Sequence, residues 1–459
     1  MSVSENTHIK DERPSDVNLT IDGIPVTVAE GTTIMDAAKT AGIYIPSLCV
    51  HKDLCKLGLC RLCVVESNGR GKLIPSCANT VLEGQTVVTN SPRVAGIRKT
   101  IMEMVLADHK LKCKDCVRKN DCVILGTSGT MNIMKNRTIA QNNRPATAPV
   151  VHSDILDFDM DKCISCGRCV AACRQEQNIW AIGASNRGKS YRIVTAYDRP
   201  LAESPCTFCN RCAAVCPVGA ISEHDRSSEI FEKLKAVGAT IAVQIDPSLS
   251  KAIGQYLSLP EGTFTPGKLV SALRSAGFAS VYDRSVTVNY SYMEESRELE
   301  ARMKTGEKLP MLIGYSDGLA KFTRTFFLAL EGSVSQHRSA ERIFGETIAA
   351  KAGNTTCISV VTNNAEKYRE NDTCIILTFK EIAKLLKLAA LDFATLAEGA
   401  FDLLPEETGI SRESISEIRT NNGKTIKTLE VTGFGDARVV MEKITKGECD
   451  ADLVRVIAE

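Results

Sequence analysis

The sequence has almost no net charge and no long apolar segment. Its 459 residues include 56 Lys and Arg against 55 Asp and Glu, so the chain as a whole has no attraction to nucleic acid or to anionic lipid. Charges break the apolar stretches before any reaches the ~20 residues that a membrane-spanning helix needs. Residues 1–14 are polar and resemble no secretory signal. We therefore expect a cytoplasmic protein that binds neither nucleic acid nor a membrane.

Cysteine, in contrast, is abundant. Sixteen of the 19 cysteines lie between Cys49 and Cys216, and only Cys357, Cys374 and Cys449 lie beyond. Because disulfides are rare in a reducing compartment, we interpret the thiols as metal ligands. Their spacing divides the front of the chain into four groups, while a length of 459 residues allows several domains.

The first group follows two predicted strands, at 17–22 and 24–28, and a predicted helix at 33–41. A long cysteine loop after such elements is typical of a small ferredoxin sheet that holds a 2Fe–2S cluster, although the gaps exceed the plant-type spacing. A zinc site is the alternative. The predicted ligands are Cys49, Cys60, Cys63 and Cys77, with Cys55 as a bystander thiol.

The second group follows a predicted helix over Pro92–Asp108, with Ser91 as its N-cap. One imidazole and three thiols fit a 4Fe–4S cluster whose neutral ligand raises its potential. Zinc also accepts this combination of ligands. The predicted ligands are His109, Cys113, Cys116 and Cys122. Basic residues crowd the same loop and offset the negative charge of a cluster: Lys110, Lys112, Lys114, Arg118 and Lys119.

The third and fourth groups share one spacing, C-x2-C-x2-C-x3-C. This is the bacterial two-cluster run, in which the fourth cysteine of each set ligates the other 4Fe–4S cluster. The first predicted ligand set is Cys163, Cys166, Cys169 and Cys216. The second is Cys206, Cys209, Cys212 and Cys173. Pro217 is expected to turn the chain after the second run.

One phosphate-binding pattern matches by letter but not by context. Residues 183–190, GASNRGKS, fit the P-loop spacing, which requires a helix to follow. The next residues, 191–197, are β-branched and aromatic and predict a strand. We therefore interpret 183–190 as a hairpin loop, and expect this chain to bind no flavin or nicotinamide. Hydride chemistry would then belong to a flavin in a partner.

The front of the chain resembles the large iron-only hydrogenases and the large iron–sulfur subunit of complex I. The matching stretches are IPSLCVHKDLCKLGLCRLCVVE, HKLKCKDCVRKNDC, DKCISCGRCVAAC and SPCTFCNRCAAVCPVGAI. Residues 239–283 resemble the opening of the hydrogenase catalytic domain, with which complex I's subunit does not usually continue. The resemblance implies a hydrogenase-like α/β domain in the rear of the chain.

The rear of the chain departs from that family at the motifs that bind its active-site cluster. Family members carry TSCCPGW, PCxxK and a C-terminal CPGGC. Here Tyr315 and Ser316 stand in the first pair of thiol places, Asn363 stands in the second motif, and the chain ends at Glu459 where the third should begin. Since Tyr, Ser and Asn cannot jointly replace thiolates, we expect no hydrogen-activating cluster and no catalytic residue.

The expected fold class is multidomain, α+β in front and α/β behind. Short apolar runs that alternate with helical stretches predict largely parallel strands in the rear. The predicted segments are a polar tail at 1–16, a β-grasp 2Fe–2S domain at 17–97, a His/Cys cluster domain at 98–150, a two-4Fe–4S ferredoxin domain at 151–228 and a degenerate hydrogenase-like domain at 229–459. The expected cofactors are one 2Fe–2S and three 4Fe–4S clusters.

The resemblance implies an electron-relay subunit of a flavin-based bifurcating complex. The implied partners are a flavoprotein NAD(H)-binding iron–sulfur subunit, a thioredoxin-like 2Fe–2S or NADP(H)-binding flavoprotein subunit, and soluble ferredoxin. A ferredoxin-linked NAD/NADP transhydrogenase is favoured slightly over an NAD- and ferredoxin-dependent formate dehydrogenase. An iron–sulfur redox sensor is the alternative from another class, although we recognise no output module. A working hydrogenase is disfavoured by the missing motifs.

Overall fold

A computed structural model of the protein describes residues 15–54, 56–68, 72–131, 133, 151–351, 355–368, 374–404 and 426–457. Three of our predictions concern residues outside these ranges: Cys55, Glu459 and the polar N-terminal tail up to residue 14. Within them, no helix is both long enough and apolar enough to cross a bilayer.

The front of the described chain forms a mixed sheet with one helix packed against it. Its elements are β1 (Asp16–Ile21), β2 (Ile24–Ala29), α1 (Ile34–Thr40), β3 (Val64–Ser67), β4 (Lys72–Pro75) and β5 (Gln85–Val88). The strand order is β2-β1-β5-β3-β4, and β1 pairs antiparallel with β2 but parallel with β5. Gly23, at φ +82°, makes the predicted turn between β1 and β2. Ile21, Ile34 and Val87 are fully buried between sheet and helix.

A long helix leaves this sheet and ends at the second cysteine group. It is α2 (Pro92–Asp108), with the predicted bounds, and α3 (Val123–Thr130) follows the cysteine loop. The Ser91 hydroxyl accepts the Val94 N–H at 3.1 Å, and proline occupies the first turn. Both features fix the start of the helix as expected from the sequence. Met102 and Leu106 of α2 are buried in the same core as Cys163 and Cys216.

The two cysteine runs fold around small strands and two one-turn helices. The elements are β6 (Val151–His152), β7 (Leu156–Phe158), α4 (Arg168–Ala171), β8 (Gly183–Ser185), β9 (Arg192–Val194), α5 (Arg211–Ala214) and β10 (Ile221–Glu223). Strand β7 pairs antiparallel with β6 and β10. Strands β8 and β9 pair with each other, Gly183 opposite Val194. The hairpin interpretation of 183–190 is therefore confirmed, because a strand follows where a P-loop needs a helix.

The rear of the chain contains two parallel sheets flanked by helices. Its elements are α6 (Ser227–Lys235), β11 (Ile241–Ile245), α7 (Leu249–Tyr256), α8 (Pro266–Ser275), β12 (Ser280–Asp283), α9 (Arg284–Thr305), β13 (Met311–Gly314), α10 (Gly318–Phe326), α11 (Ala340–Lys351), β14 (Thr356–Val361), β15 (Cys374–Thr378), α12 (Phe379–Leu388), β16 (Thr428–Thr432), α13 (Gly433–Thr445) and β17 (Leu453–Ile457). The strand orders are β12-β11-β14-β15 and β13-β17-β16. Every pair within them is parallel, as predicted.

Helix α13, which follows strand β16 of the second rear sheet, packs against the segment that follows the first cysteine run. Phe434, at the start of α13, is fully buried, with its ring centroid 5.1 Å from that of Phe322 and 5.9 Å from that of Tyr315. Its backbone N–H donates to Gln177 Oε1 at 3.0 Å. Gln177 belongs to the segment that follows Cys173, so one aromatic residue joins the two halves of the chain.

We expect Phe434→Ala to lower the free energy of unfolding by about 3–5 kcal/mol, because it opens a cavity among fully buried rings. Val439→Ala, on the exposed face of the same helix, is the matched control and should change it by less than about 0.5 kcal/mol. Chemical denaturation of both variants measures the difference. Equal losses would contradict the assignment of Phe434 to the junction between the halves.

Candidate metal centres

The first cysteine group lies in two pairs. The Sγ atoms of Cys49 and Cys60 are 3.4 Å apart, and those of Cys63 and Cys77 are 3.3 Å apart. Two thiolates on one tetrahedral metal, at a metal–sulfur distance of ~2.3 Å, lie about 3.8 Å apart. The loop between α1 and β3 delivers Cys49, Cys60 and Cys63, and Cys77 follows β4. The arrangement suits two irons with two thiolates each.

Hydrogen bonds among these four thiols shift their pKa values in opposite directions. Hydrogen bonding from Cys60 lowers the pKa of the Cys49 thiol to about 2, and hydrogen bonding from Cys77 lowers the pKa of the Cys63 thiol to about 6. The hydrogen bond to Cys49 raises the pKa of Cys60, and hydrogen bonds to Cys49 and then to Cys63 raise the pKa of Cys77. Each pair thus favours one thiolate, which is the form that binds iron.

Among the described residues, no three His, Cys, Asp or Glu side chains are placed to hold one metal ion.

The second group surrounds a small cavity at the end of α2. Its wall includes all four predicted ligands, His109, Cys113, Cys116 and Cys122. His109 Nδ1 lies 2.7 Å from the Lys162 carbonyl oxygen. If Nδ1 carries the proton, the lone pair is on Nε2, as in most metal-binding histidines. Lysines at positions 110, 112, 119 and 162 also line the cavity, where their charge can offset that of an anionic cluster.

The two cysteine runs surround two further cavities, and in both the fourth thiol comes from the other run. One cavity is lined by Cys163, Cys166, Cys169 and Cys216. The other is lined by Cys206, Cys209, Cys212 and Cys173. The three cavities have similar volumes, about 340, 370 and, for the His109 group, 280 Å³. These are the groupings that the spacing predicts.

Both loops reach this arrangement through the same backbone distortion. Ser165 and Phe208, two residues after the first cysteine of each run, have φ of +57° and +55°. Such values are unfavourable for residues other than glycine. In return, the Ser165 N–H points at Cys163 Sγ and the Phe208 N–H at Cys206 Sγ, each at 3.4 Å. Amide hydrogen bonds to cluster sulfurs stabilise their negative charge and tune the reduction potential.

Burial raises the pKa of several thiols that line these two cavities. Desolvation raises the pKa of Cys166 and of Cys206 to about 12, and raises those of Cys169 and Cys212 as well. A bound metal reverses this shift, since a coordinating thiol is deprotonated outright. Both sites are therefore chemically suited to metal ions and poorly suited to free thiolates.

The centres contact one another through their loops. At Gly219, three residues after Cys216, a Cβ would lie 2.7 Å from Val117 Cγ2, beside Cys116 of the second group. Arg118 reinforces this contact by donating to the Ala214 carbonyl at 2.9 Å.

The 2Fe–2S candidate loop approaches the same cavity from another side. A Cβ at Gly167 would lie 2.6 Å from Leu59 Cδ1. Arg168 donates to the Val50 carbonyl at 2.7 Å. Cys166 and Cys169 flank these contacts, so the first and second groups both meet the cavity lined by Cys163.

The second 4Fe–4S candidate faces the rear of the chain. Cys206 and Cys209 pack against the same apolar cluster as Tyr315 and Phe434. A Cβ at Gly318 would lie 2.6 Å from the Thr207 carbonyl oxygen. The four groups therefore form a branched series that ends beside the rear sheets.

Tyr315 and Ser316, which the sequence analysis predicts to stand at hydrogenase-ligand positions, border a large open cavity, which we call the rear cavity. It occupies about 1500 Å³, its mouth included, and no cysteine occurs among the described residues that line it. The Ser316 hydroxyl lies 3.3 Å from the Gly318 N–H, from which it accepts a hydrogen bond. Asn363 instead caps a helical turn, accepting the N–H groups of Ala365 and Glu366 through Oδ1.

Two features of the rear half were not predicted from the sequence. Cys357 and Cys374, which lie outside the four cysteine groups, face each other in register on β14 and β15. Lys367, in the stretch that we align with the PCxxK motif, is buried in an ion pair with Glu381 at 3.0 Å. Neither contact has a local sequence signal, because each joins segments that fold together only in the tertiary structure.

Comparison with known proteins identifies three matching regions. Residues 239–414 match the family described as iron only hydrogenase large subunit, C-terminal domain. Residues 15–92 match the 2Fe-2S iron-sulfur cluster binding domain. Residues 153–222 match the ferredoxin-like domain of NADH-quinone oxidoreductase subunit 3.

Similarity to curated relatives extends over most of the chain. NADP-reducing hydrogenase subunit HndD of Solidesulfovibrio fructosivorans is 33% identical over 420 residues, covering 84% of this chain and 71% of the relative. Iron hydrogenase 1 of Clostridium pasteurianum is 26% identical over 406 residues, covering 83% and 70%. NADPH-Fe(3+) oxidoreductase subunit alpha of Geobacter sulfurreducens is 36% identical over 207 residues, covering 45% and 24%.

Because the fourth thiol of each cavity comes from the other cysteine run, we can predict which cysteine variants lose the same cluster signal. Cys216→Ser should lose the same electron paramagnetic resonance signal as Cys163→Ser, and about four irons, because both thiols line one cavity. Cys206→Ser should lose a different signal. Cys449→Ser, which removes a thiol outside the four groups, is the control and should keep the full spectrum. A Cys216→Ser spectrum that matches Cys206→Ser would refute the crossed arrangement.

Proposed function

Because the chain belongs to the family of iron-only hydrogenase large subunits, we propose that it is an iron–sulfur electron-transfer subunit of an NAD(P)-linked oxidoreductase complex. It carries electrons through one 2Fe–2S and three 4Fe–4S clusters, held by the four ligand groups described above. The chain supplies the route, and partner subunits supply the hydride and substrate chemistry.

The observation that carries this proposal is the contact between successive centres. The His109 group and the Cys49 group both meet the cavity lined by Cys163, at Gly219 and at Gly167. That cavity shares its two cysteine runs with the one lined by Cys206. Electrons can therefore enter by either of two branches and converge on the ferredoxin pair.

The lining of the rear cavity supports a relay rather than a hydrogenase. Iron–sulfur clusters are held by thiolates, whereas the described lining of this cavity offers Tyr315 and Ser316 in their place. In this proposal the chain assembles no hydrogen-activating cluster. The second 4Fe–4S cluster, beside the rear cavity, then becomes an end of the route within this chain.

At the finer level we propose an electron-bifurcating, ferredoxin-linked NAD/NADP transhydrogenase. The NADP-linked names of HndD and of the Geobacter relative support this choice over a formate dehydrogenase. The partners would be a flavoprotein that binds NAD(H), a thioredoxin-like 2Fe–2S or NADP(H)-binding flavoprotein subunit, and soluble ferredoxin that docks near the ferredoxin pair. We place the complex in the cytoplasm.

The metal content tests the cluster assignment. Protein purified without oxygen should contain about 14 irons and a matching amount of sulfide, as expected for one 2Fe–2S and three 4Fe–4S clusters. Electron paramagnetic resonance of the reduced protein should show both cluster types. Two results would contradict the assignment of the His109 group. One is stoichiometric zinc. The other is an iron content near ten together with a spectrum that His109→Ala leaves unchanged.

Co-purification separates the relay from a redox sensor. A tagged chain expressed in its native host should purify in a stable complex with a flavoprotein that reduces NAD(P), because a relay needs an electron donor and an acceptor. Purification of a lone subunit, or of a complex with a kinase or a promoter, would contradict the relay. A tag placed on an unrelated cytoplasmic iron–sulfur protein serves as the control for non-specific capture.

A further inference from the structure

The rear cavity is lined by arginines that come from separate parts of the rear half. Arg284 begins α9, Arg338 precedes α11, Arg342 lies within α11 and Arg455 lies on β17. The cavity lies where α9, the ends of β13 and β17, and the start of α11 meet. A concave site with converging polar groups, built from several elements, is the usual form of a small-molecule site.

Glutamates on the protein side hold these arginines in place. Arg284 Nη2 bonds Glu341 Oε1 at 2.6 Å, and Arg455 Nη2 bonds Glu295 Oε1 at 2.5 Å. Both glutamates are almost completely buried. Because a buried carboxylate binds one edge of each guanidinium, the orientation of the guanidinium in the cavity wall is fixed before any ligand binds.

Two buried donors of this set, Arg284 Nε and Arg455 Nε, lack a hydrogen-bond partner among the described residues. A guanidinium carries five N–H donors, and Arg284 and Arg455 each use one of them in the side-chain hydrogen bonds of the described chain. Buried unsatisfied donors of this kind call for an explanation, such as a bound water or ion.

Arg342 and Arg338 extend the set toward the cavity mouth. Arg342 Nε bonds Glu346 at 2.9 Å, and Arg338 bonds Glu346 and Glu294. The Arg342 side chain is about half exposed, at 51%, so it can reach a bound molecule without leaving a buried acid unpaired. Tyr292, whose ring centroid lies 5.8 Å from the Arg455 guanidinium carbon, adds an aromatic face.

We propose that the rear cavity binds a small oxyanion, a carboxylate or a phosphate group, on the donors of Arg284, Arg342 and Arg455. Planar guanidinium groups pair with both oxyanions in a bidentate manner. Acidic residues equal the arginines in number within the lining, so the site has no surplus positive charge: Glu295, Asp317, Glu341 and Glu366. Recognition therefore depends on hydrogen-bond geometry, and the anion must match the fixed positions of the guanidinium N–H donors.

Calorimetric titration of the full-length, cluster-loaded protein tests this site. Inorganic phosphate and malonate are the probes, and sodium chloride at matched ionic strength is the control for screening. Saturable binding of phosphate alone identifies a phosphate site, and binding of malonate alone identifies a carboxylate site. Absence of saturable binding for both probes overturns the proposal.

Variants locate the bound anion. Arg342→Gln should weaken binding at least tenfold without unfolding the protein, because its partner Glu346 is itself partly exposed. The double variant Arg284→Gln/Glu341→Gln removes a buried pair together and should also weaken binding at least tenfold. Arg274→Gln, in an exposed pair with Asp402 away from the cavity, is the matched control. Unchanged affinity in Arg342→Gln places the anion elsewhere and overturns the proposal.

Discussion

The thiols of the two cysteine runs must converge on two common points, and the front half of the structure depends on that requirement. To meet it, Ser165 and Phe208 adopt left-handed backbone conformations that cost energy. In exchange, amide N–H groups approach the sulfurs, and short helices carry Cys173 and Cys216 across to the opposite cavity. The same apolar core contains Met102 and Leu106 of α2, so the His109 group is anchored to the ferredoxin pair.

Contacts between loops then convert separate centres into a connected route. Gly167 and Gly219 have left-handed φ values, and each lacks a side chain where a neighbouring loop approaches. Leu59 and Val117 occupy the space that a Cβ would take. A larger residue at either glycine would displace the Leu59 or the Val117 side chain and would be strained by the left-handed φ.

Much of the front half could be predicted from the sequence because its signals are local. The spacing of Cys163 to Cys216 predicted the crossed groups that the cavities show, and Ser91 with Pro92 predicted the start of α2. The rear half was predicted less completely. For the rear half the sequence indicated parallel strands alternating with helices, but not the bounds of elements such as β16 and α11. Their apolar positions are set by long-range packing between two sheets, which leaves a weak local pattern.

The rear cavity could not be predicted, because its lining comes from segments far apart in the chain. The resemblance to the hydrogenase family predicts only that Tyr315, Ser316 and Asn363 stand where the family has thiols. It did not show that arginines oriented by Glu295 and Glu341 line the same space. The rear half therefore has a packed core and an organised cavity, whatever cluster it holds.

The central claim is that this member of a hydrogenase family transfers electrons but does not activate hydrogen. The most direct test is to express the chain together with hydrogenase maturation proteins and to supply hydrogen with a viologen dye. The account predicts no dye reduction above that of heat-treated protein, although chemically reduced clusters of the same sample should pass electrons to the dye. Dye reduction by hydrogen at ordinary hydrogenase rates would contradict it.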